Sequence, residues 1–207
     1  MEITQLKQIS GESFVIELEN GEVFKTVLSV VADFSLYSGR DLSDDELLEV
    51  QNASSLGKAK QRALRIIGAV PLSEAALYER LVQKGESEGN AAACVAWLKS
   101  LGFLDDIEYA KNLVRHYAQK GYGRLRVRDE LYRRKIPRIY WDEALEQMPE
   151  SEDTIDRLLQ KKLRSEEPDK KEIKRASDAL LRRGFSWEEV RSALSRYSDA
   201  IAIEDDY

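Results

Sequence analysis

The stretch that decides the fold occurs three times in this chain, as Leu81-Val82-Gln83-Lys84-Gly85, Leu131-Tyr132-Arg133-Arg134-Lys135 and Leu180-Leu181-Arg182-Arg183-Gly184. Successive copies start 50 and 49 residues apart, and two of them end in glycine, a residue that commonly stops a helix. Apolar residues recur at matching positions further along each copy: Val95, Leu145 and Leu194, then Leu98, Met148 and Tyr197. A repeat of this length predicts helical modules that stack in a line, each contacting mainly its neighbours.

Helix signals around the first copy define what one module contains. A first helix from about Lys58 carries an apolar stripe of Ala63, Leu64, Ile66 and Ile67. Ser73 is placed to cap a second helix that ends at Gly85, and Gly102 ends a third. Asp105-Asp106 then supplies carboxylates at the start of the next helix, where the helix dipole favours negative charge. The sequence therefore predicts three three-helix units between residue 58 and about residue 198.

The segment before the repeats has the pattern of strands. Phe14–Leu18 and Val23–Val27 are rich in β-branched and aromatic residues, and Asn20-Gly21 between them is a strong hairpin signal. A third strand is indicated by Ile3, Leu6 and Ile9. A hairpin is marginal in water unless its apolar face is covered. Ser43-Asp44-Asp45-Glu46 forms a capping box that opens a short helix through about Asn52, which is the candidate cover.

These patterns predict a mainly α protein with three tandem three-helix repeats in an elongated, curved array and a small N-terminal β-hairpin and helix extension. Few prolines and glycines interrupt the chain, which disfavours an all-β fold. The expected domains are the extension at 1–54, repeat 1 at 55–107, a basic repeat 2 at 108–150, and repeat 3 with an acidic tail at 151–207.

Charge is distributed unevenly along the chain, although the net charge is −6. Residues 1–54 carry 3 basic and 11 acidic side chains, whereas residues 108–140 carry 10 basic and 3 acidic ones. Residues 141–207 are acidic again, with 12 basic and 18 acidic side chains. A positive centre between two acidic ends creates a local field that the total conceals.

The cations of this centre lie in one turn and the helix that follows it. Val127 and Leu131 are four residues apart and are expected to face inward together. Arg124, Arg128 and Lys135 then share one outer flank, while Arg126 and Arg133 share the other with Glu130. Arginine predominates, and its planar fork suits bidentate contact with phosphate or carboxylate. Either an anionic partner binds this face, or the acidic segments of the same chain neutralise it. The candidate binding residues are Lys120, Arg124, Arg126, Arg128, Arg133, Arg134, Lys135 and Arg138.

Catalytic chemistry finds little support in the sequence. Gly121-Tyr122-Gly123 lacks the strand and the Lys-Ser/Thr partner of a phosphate-binding loop. His116 is the only histidine and lies in an ordinary helical stretch. Cys94 is the only cysteine and sits among alanines, a setting typical of a small buried hydrophobe. We therefore expect no catalytic residue, no metal site and no cofactor, and thus not an enzyme.

Composition also bears on the compartment. A single cysteine allows no intramolecular disulfide, as is usual in a reducing compartment. The first residues lack the basic start and apolar core of a signal peptide, and no apolar run approaches the length of a membrane span. A cytoplasmic protein without a membrane partner is expected.

Two elements resemble the RecX family of RecA regulators. One is Leu98-Lys99-Ser100-Leu101-Gly102-Phe103-Leu104-Asp105-Asp106, followed by Tyr109-Ala110. The other is Gly123-Arg124-Leu125-Arg126-Val127-Arg128-Asp129-Glu130-Leu131, which is similar to the Gly-x-x-Arg-hydrophobic-Arg-x-Glu-Leu pattern of the family. The N-terminal hairpin with Leu42–Leu47 is similar to an extension that some members carry. The resemblance covers essentially the whole chain and is most specific over residues 98–135.

The resemblance implies tandem three-helix repeats that bind along the RecA–DNA filament. It also implies a monomer that contacts DNA without sequence preference and inhibits strand exchange, ATP turnover and coprotease activity in DNA repair and recombination. Only the resemblance points to RecA. Neither composition nor spacing does.

Three departures from the family pattern stand out. Arg124 occupies a position that is often proline, which predicts a looser start to its helix. Val70-Pro71-Leu72-Ser73 is less basic than is typical, and Lys135 replaces the glycine of the outer repeats.

Two other functions fit the charge pattern: a free-standing DNA-binding protein built of helix-turn-helix-like units, and an adaptor that self-associates through its acidic ends and basic centre.

Overall fold

The computed structural model describes residues 1–163 and 168–204, with the side chains of the last helix described as far as Arg196. The predicted acidic tail at Asp205-Asp206 and the side chain of Tyr197 lie outside this part. The chain divides into an N-terminal unit, Met1–Leu104, and a C-terminal unit, Asp105–Tyr207. The N-terminal unit contains β1 (Ile3–Ser10), β2 (Ser13–Leu18), β3 (Val23–Val27), α1 (Leu28–Asp33), α2 (Asp44–Ala69), α3 (Glu74–Gln83) and α4 (Glu88–Ser100).

The three strands form one antiparallel sheet in the order β1-β2-β3, which confirms the predicted hairpin and the third strand. Gly21 has a φ of 82° in the turn, and the Asn20 side chain accepts a hydrogen bond of 2.9 Å from the backbone N–H of Glu22. The apolar face of the sheet is covered by α1 and α2, and Ile16 and Val50 are fully buried in their shared core. The extension is therefore a small sheet packed under helices.

Helix α2 is the main correction to the predicted elements. The capping box forms as expected, since the Ser43 hydroxyl accepts from the Glu46 N–H and the Glu46 carboxylate accepts from the Ser43 N–H. The helix does not end near Asn52, however, but continues to Ala69. It therefore spans the predicted boundary between the extension and repeat 1. The polar stretch after Asn52 resembles a linker, yet it contains no proline and the helix stays anchored by its buried side chains.

The apolar stripe of the same helix differs slightly from the prediction. Ala59, Ala63 and Ile66 are buried in the core of repeat 1, whereas Leu64 is exposed to solvent. Helix geometry explains this, because Leu64 lies about 100° around the axis from Ala63.

Two glycines of α2 differ in the space available for a side chain. A Cβ at Gly57 would overlap the Cγ2 methyl of Val27, so the glycine lets the helix approach β3, while a Cβ at Gly68 would meet nothing within 4 Å. We expect Gly57→Ala to destabilise the fold by roughly 1–2 kcal/mol, because the overlap outweighs the better helix propensity of alanine. Urea unfolding monitored by circular dichroism measures the change.

Gly68→Ala is the matched control in the same helix. It is expected to stabilise the protein by roughly 0.5 kcal/mol, less than the full propensity difference because Gly68 lies next to the end of the helix. Equal effects of the two substitutions would show that the contact between Gly57 and Val27 is unimportant.

The C-terminal unit contains two further repeats. Its elements are α5 (Asp106–Gln119), α6 (Arg124–Arg133), a 3-10 turn (Arg138–Tyr140), α7 (Trp141–Leu145), α8 (Glu152–Lys162), α9 (Lys170–Arg182) and α10 (Trp187–Glu204). Repeat 1 comprises the second half of α2 with α3 and α4, repeat 2 comprises α5 to α7, and repeat 3 comprises α8 to α10. The predicted mainly helical, repetitive fold is confirmed. In repeat 2, however, the third helix is reduced to the 3-10 turn and the short α7.

Equivalent residues take equivalent places in the three repeats. Leu81, Leu131 and Leu180 are each at most 2% exposed and lie in the cores of their own repeats. The turn residue after each second helix is left-handed, with φ of 87° at Gly85, 57° at Lys135 and 86° at Gly184. A lysine in this conformation costs roughly 1 kcal/mol relative to glycine. The repeat is thus set by backbone conformation as well as by apolar spacing.

Candidate functional site

Helix α6 presents the predicted basic surface. Val127 and Leu131 are fully buried against α5 and α7, as predicted. On the outer side of the helix, the exposed residues are Arg124, Leu125, Arg128, Asp129, Tyr132 and Arg133. The chain before and after α6 contributes the remaining cations, at Lys120, Arg134, Lys135 and Arg138.

The start of α6 is held by repeat 3. The backbone N–H of Gly123 donates to the carbonyl oxygen of Arg183 at 2.8 Å, and the N–H of Leu125 donates to that of Gly184 at 3.0 Å. Carbonyls at the C-terminus of α9 thus satisfy N–H groups that a helix start leaves without partners. The expectation that Arg124 loosens this helix start is wrong, because these bonds do not depend on the residue at position 124.

Two glycines allow this close approach. A Cβ at Gly123 would overlap the carbonyl of Gly184, and a Cβ at Gly184 would overlap the backbone of Arg126. At the equivalent Gly85, by contrast, an added Cβ would meet nothing within 4 Å. Gly85 therefore serves only the turn, whereas Gly184 serves both the turn and the junction between repeats 2 and 3.

Arg183 reinforces the same junction with its side chain. Its Nη1 donates to the carbonyl oxygens of Lys120 at 3.1 Å and Gly121 at 3.2 Å. Its guanidinium also lies 5.5 Å from the centre of the Tyr122 ring, within the range of a cation–π contact. The turn before α6, including the predicted site residue Lys120, is thereby fixed to repeat 3.

Arg134 is engaged within the protein. Its Nε lies 2.9 Å from a carboxylate oxygen of the buried Glu130, and its Nη1 donates to the Tyr109 hydroxyl at 2.8 Å. Burial and the charge of the neighbouring Glu130 carboxylate raise the pKa of Tyr117. Glu130 was expected to share an outer flank with Arg126 and Arg133. It lies inside instead, where Arg134 is its closer partner at 2.9 Å and the Nη1 of the exposed Arg133 lies 4.0 Å from its other carboxylate oxygen.

Arg124 also faces carboxylates of its own chain. It lines a cleft of about 510 Å³ between repeats 2 and 3 together with Glu150, Glu152 and Glu189. Burial opposes ionisation of Glu189, but hydrogen bonds from Ser151 and Ser186 outweigh it with help from Arg124, so the pKa of Glu189 is lowered. The charge of Arg124 is thus partly balanced within the cleft.

Trp141 brings two of the other cations together. The guanidinium groups of Arg128 and Arg138 lie 6.0 and 5.6 Å from the centre of its ring. The indole N–H donates to the Ile136 carbonyl at 2.9 Å, which fixes the ring in the core. Arg128 on α6 and Arg138 on the 3-10 turn are therefore held beside the same aromatic ring.

Large apolar side chains lie among these cations. Leu125 is 52%, Tyr132 67% and Ile139 79% exposed. Exposed apolar groups close to arginines are typical of a surface that contacts another protein. We call this region the α6 surface, and it consists of the three apolar residues with Arg126, Arg128, Arg133, Lys135 and Arg138.

Cys94 and His116 lie in different surroundings. Cys94 is fully buried, and burial raises the pKa of its thiol. His116 is exposed and makes an edge contact with the Tyr117 ring. Among the described residues, no three His, Cys, Asp or Glu side chains are grouped to hold a metal ion. None of the described helices combines the length and the apolar character that crossing a membrane requires.

Sequence reasoning missed a second group of cations, in repeat 3. Six exposed side chains lie at the end of α8 and the start of α9: Lys161, Lys162, Lys170, Lys171, Lys174 and Arg175. The net charge of residues 141–207 is negative, which concealed these cations. A shorter window would have found them, because residues 157–175 carry 8 basic and 4 acidic side chains. We call these six residues the lysine cluster.

Comparison with known proteins gives consistent results. Family models described as the second and third three-helix domains of RecX match residues 105–145 and 150–194. The regulatory protein RecX of Stenotrophomonas maltophilia strain K279a is 32% identical over 139 residues, which cover 66% of this chain and 85% of the relative. The regulatory protein RecX of Vibrio campbellii is 29% identical over 139 residues, covering 66% of this chain and 90% of the relative.

Two solved structures share the fold. A crystal structure of a regulatory protein RecX superposes with a TM-score of 0.72 and 21% identity, covering 94% of this chain and 98% of the other. RecX from Lactobacillus salivarius superposes with a TM-score of 0.64 and 17% identity, covering 70% of this chain and 98% of the other. At these sequence identities the two structures support the fold alone.

Proposed function

Because this chain belongs to the RecX family of regulatory proteins, we propose that it restrains the RecA recombination filament in the cytoplasm. On this proposal a monomer binds the RecA–DNA filament and limits strand exchange, ATP turnover and coprotease activity in DNA repair and recombination. It does so by occupying the filament, without catalysis by its own side chains.

The observation that carries the proposal is the α6 surface. Arg128, Arg133 and Arg138 are exposed, and Leu125, Tyr132 and Ile139 lie exposed among them. Arginine can bind carboxylates or phosphates in a bidentate manner, while the apolar side chains gain free energy only when a partner covers them. The fixed junction with repeat 3 keeps this surface ordered before binding, which reduces the entropy lost on association.

The same junction argues against α6 as the recognition helix of a sequence-specific DNA-binding protein. In a helix-turn-helix protein the N-terminal residues of that helix contact base edges in the major groove. Here the backbone at the start of α6 lies against the Arg183-Gly184 turn of repeat 3. A sequence-reading role for this helix therefore receives no support from its packing.

The proposal is tested by adding the purified protein in substoichiometric amounts to RecA on single-stranded DNA. We expect ATP hydrolysis and strand exchange to fall, because each bound molecule affects a filament rather than one subunit. Unchanged rates at every concentration would overturn the proposal.

A triple variant tests whether the α6 surface makes the proposed contact with the RecA filament. We expect R128Q/R133Q/R138Q to bind preformed RecA filaments about tenfold more weakly in co-sedimentation, since exposed charge contacts contribute a few tenths to 1 kcal/mol each. R65Q/R80Q/K84Q removes the same charge from exposed positions of the N-terminal unit and is the matched control. Equal affinities for the two variants would remove the α6 surface from the proposed interface.

A further inference from the structure

We propose that the lysine cluster of repeat 3 is a separate binding site for the sugar-phosphate backbone of nucleic acid. Lys161 and Lys162 end α8, and Lys170, Lys171, Lys174 and Arg175 occupy the first two turns of α9. This inference does not depend on the proposed action on RecA, because it concerns DNA or RNA binding by the protein alone.

Packing in repeat 3 brings the two helices together at the level of these cations. Leu159 and Leu163 on either side of the α8 lysines share one core with Ala176, which directly follows Arg175. Lys161, Lys162 and Arg175 also line one cleft of about 290 Å³, together with Glu172 and Ala176. Cations from the end of α8 and from α9 thus meet at one concave surface, and Lys170, Lys171 and Lys174 lie on the same first two turns of α9 as Arg175.

Among the residues that the structure describes, no carboxylate pairs with any of the six cations within 4.0 Å. The nearby carboxylates of Asp169 and Glu172 are engaged with the backbone, because the two form a capping box at the start of α9. Like charges three and four residues apart on a helix cost stability. An anion supplied by a partner would offset that repulsion.

The composition of the cluster favours a phosphate backbone over a protein or a membrane. Five of its six members are lysines, which act as mobile point charges toward phosphates without demanding one geometry. None of the large exposed apolar side chains in the described part lies between Ser151 and Arg175. A membrane-surface helix would need such groups to insert, and a protein interface usually has them at its centre. The α6 surface, by contrast, combines arginines with exposed apolar groups.

Fluorescence anisotropy with labelled mixed-sequence oligonucleotides, single-stranded and duplex, tests the site with no RecA present. We expect K161Q/K162Q/K171Q/R175Q to bind roughly tenfold to a hundredfold more weakly at about 50 mM salt. The slope of log affinity against log salt should become shallower by about 3, since each lost phosphate contact removes about 0.7 to 0.9. The slope distinguishes lost phosphate contacts from general damage to the protein.

Two further variants make the result decisive. K7Q/K25Q/R65Q/K84Q removes the same charge from exposed positions of the N-terminal unit and should bind like the wild type. K161R/K162R/K171R keeps the charge and should retain the wild-type slope, while circular dichroism confirms unchanged helicity in all variants. Wild-type affinity of the glutamine variant, or an equal loss in the control, would overturn the inference.

The outcome separates this site from the proposed function. If the glutamine variant loses DNA binding but still lowers RecA ATP hydrolysis, both proposals stand. If the wild type binds DNA through the cluster but leaves RecA unaffected, only the proposed function fails. Loss of binding to RecA filaments with unchanged DNA binding would assign the cluster to a protein partner and overturn the inference.

Discussion

Gly184→Ala is expected to destabilise the C-terminal unit by roughly 3–4 kcal/mol, the largest effect of any substitution considered. Two costs combine at this residue. A left-handed alanine costs roughly 1–2 kcal/mol, and the φ at this position is 86°. The added Cβ would also overlap the backbone of Arg126, which cannot yield without moving α6. Native-state hydrogen exchange at the amides of Gly123 and Leu125, combined with urea unfolding, measures both losses.

The equivalent glycine of repeat 1 provides the control. Gly85 has nearly the same φ, 87°, but a Cβ there would meet nothing within 4 Å. Gly85→Ala should therefore cost only the roughly 1–2 kcal/mol of the left-handed conformation. Gly123→Ala isolates the other contribution, because its φ of −79° is ordinary while its Cβ would overlap the Gly184 carbonyl. If Gly184→Ala costs no more than Gly85→Ala, the close junction described here does not exist.

Glu130→Ala is expected to cost about 3 kcal/mol, the lower end of the range for removing one partner of a buried ion pair. The Glu130 side chain is only 10% exposed, while that of Arg134 is 37% exposed and can partly recover hydration. Thermal unfolding of the variant, compared with Arg134→Ala and the double variant, gives the coupling energy between the two side chains.

Asp129→Ala is the matched control on the same helix, because it removes the same charge from an exposed neighbouring position. Its effect should stay within about 0.5 kcal/mol, as is usual for surface substitutions.

Binding to the RecA filament provides a second comparison. Since Arg134 is bonded to Glu130 and Tyr109 of its own chain, Arg134→Gln should weaken binding only in proportion to its loss of stability, unlike the exposed Arg128.

Local patterns in the sequence were sufficient for most of the fold. The Asn20-Gly21 turn, the Ser43–Glu46 capping box and the turns after Leu81, Leu131 and Leu180 all depend on residues close in the chain, and each forms as predicted. The inward direction of Val127 and Leu131 follows from helix periodicity alone. Such features need no knowledge of distant contacts.

The errors concern features that distant residues decide. The burial of Glu130 depends on α5, which supplies Tyr109 and Tyr117, so helix periodicity alone misplaced it. The expected looseness of the α6 start overlooked the carbonyls of Arg183 and Gly184, which belong to the next repeat. The lysine cluster was hidden because the charge was summed over a window longer than the helix pair that carries it. The assignment of the α6 surface to a partner remains a prediction.

The junction at the start of α6 also determines which shortened versions of the protein are useful. A synthetic peptide copied from α6 has only 10 residues and would fray in water, since helices of that length are marginal alone. A cut between the second and third repeats would strip the first turn of α6 of its carbonyl acceptors and expose the glycine contact to solvent. Co-crystallisation and cross-linking trials should therefore start no later than Asp105 and run through α10, so that the arginines are displayed on a rigid frame.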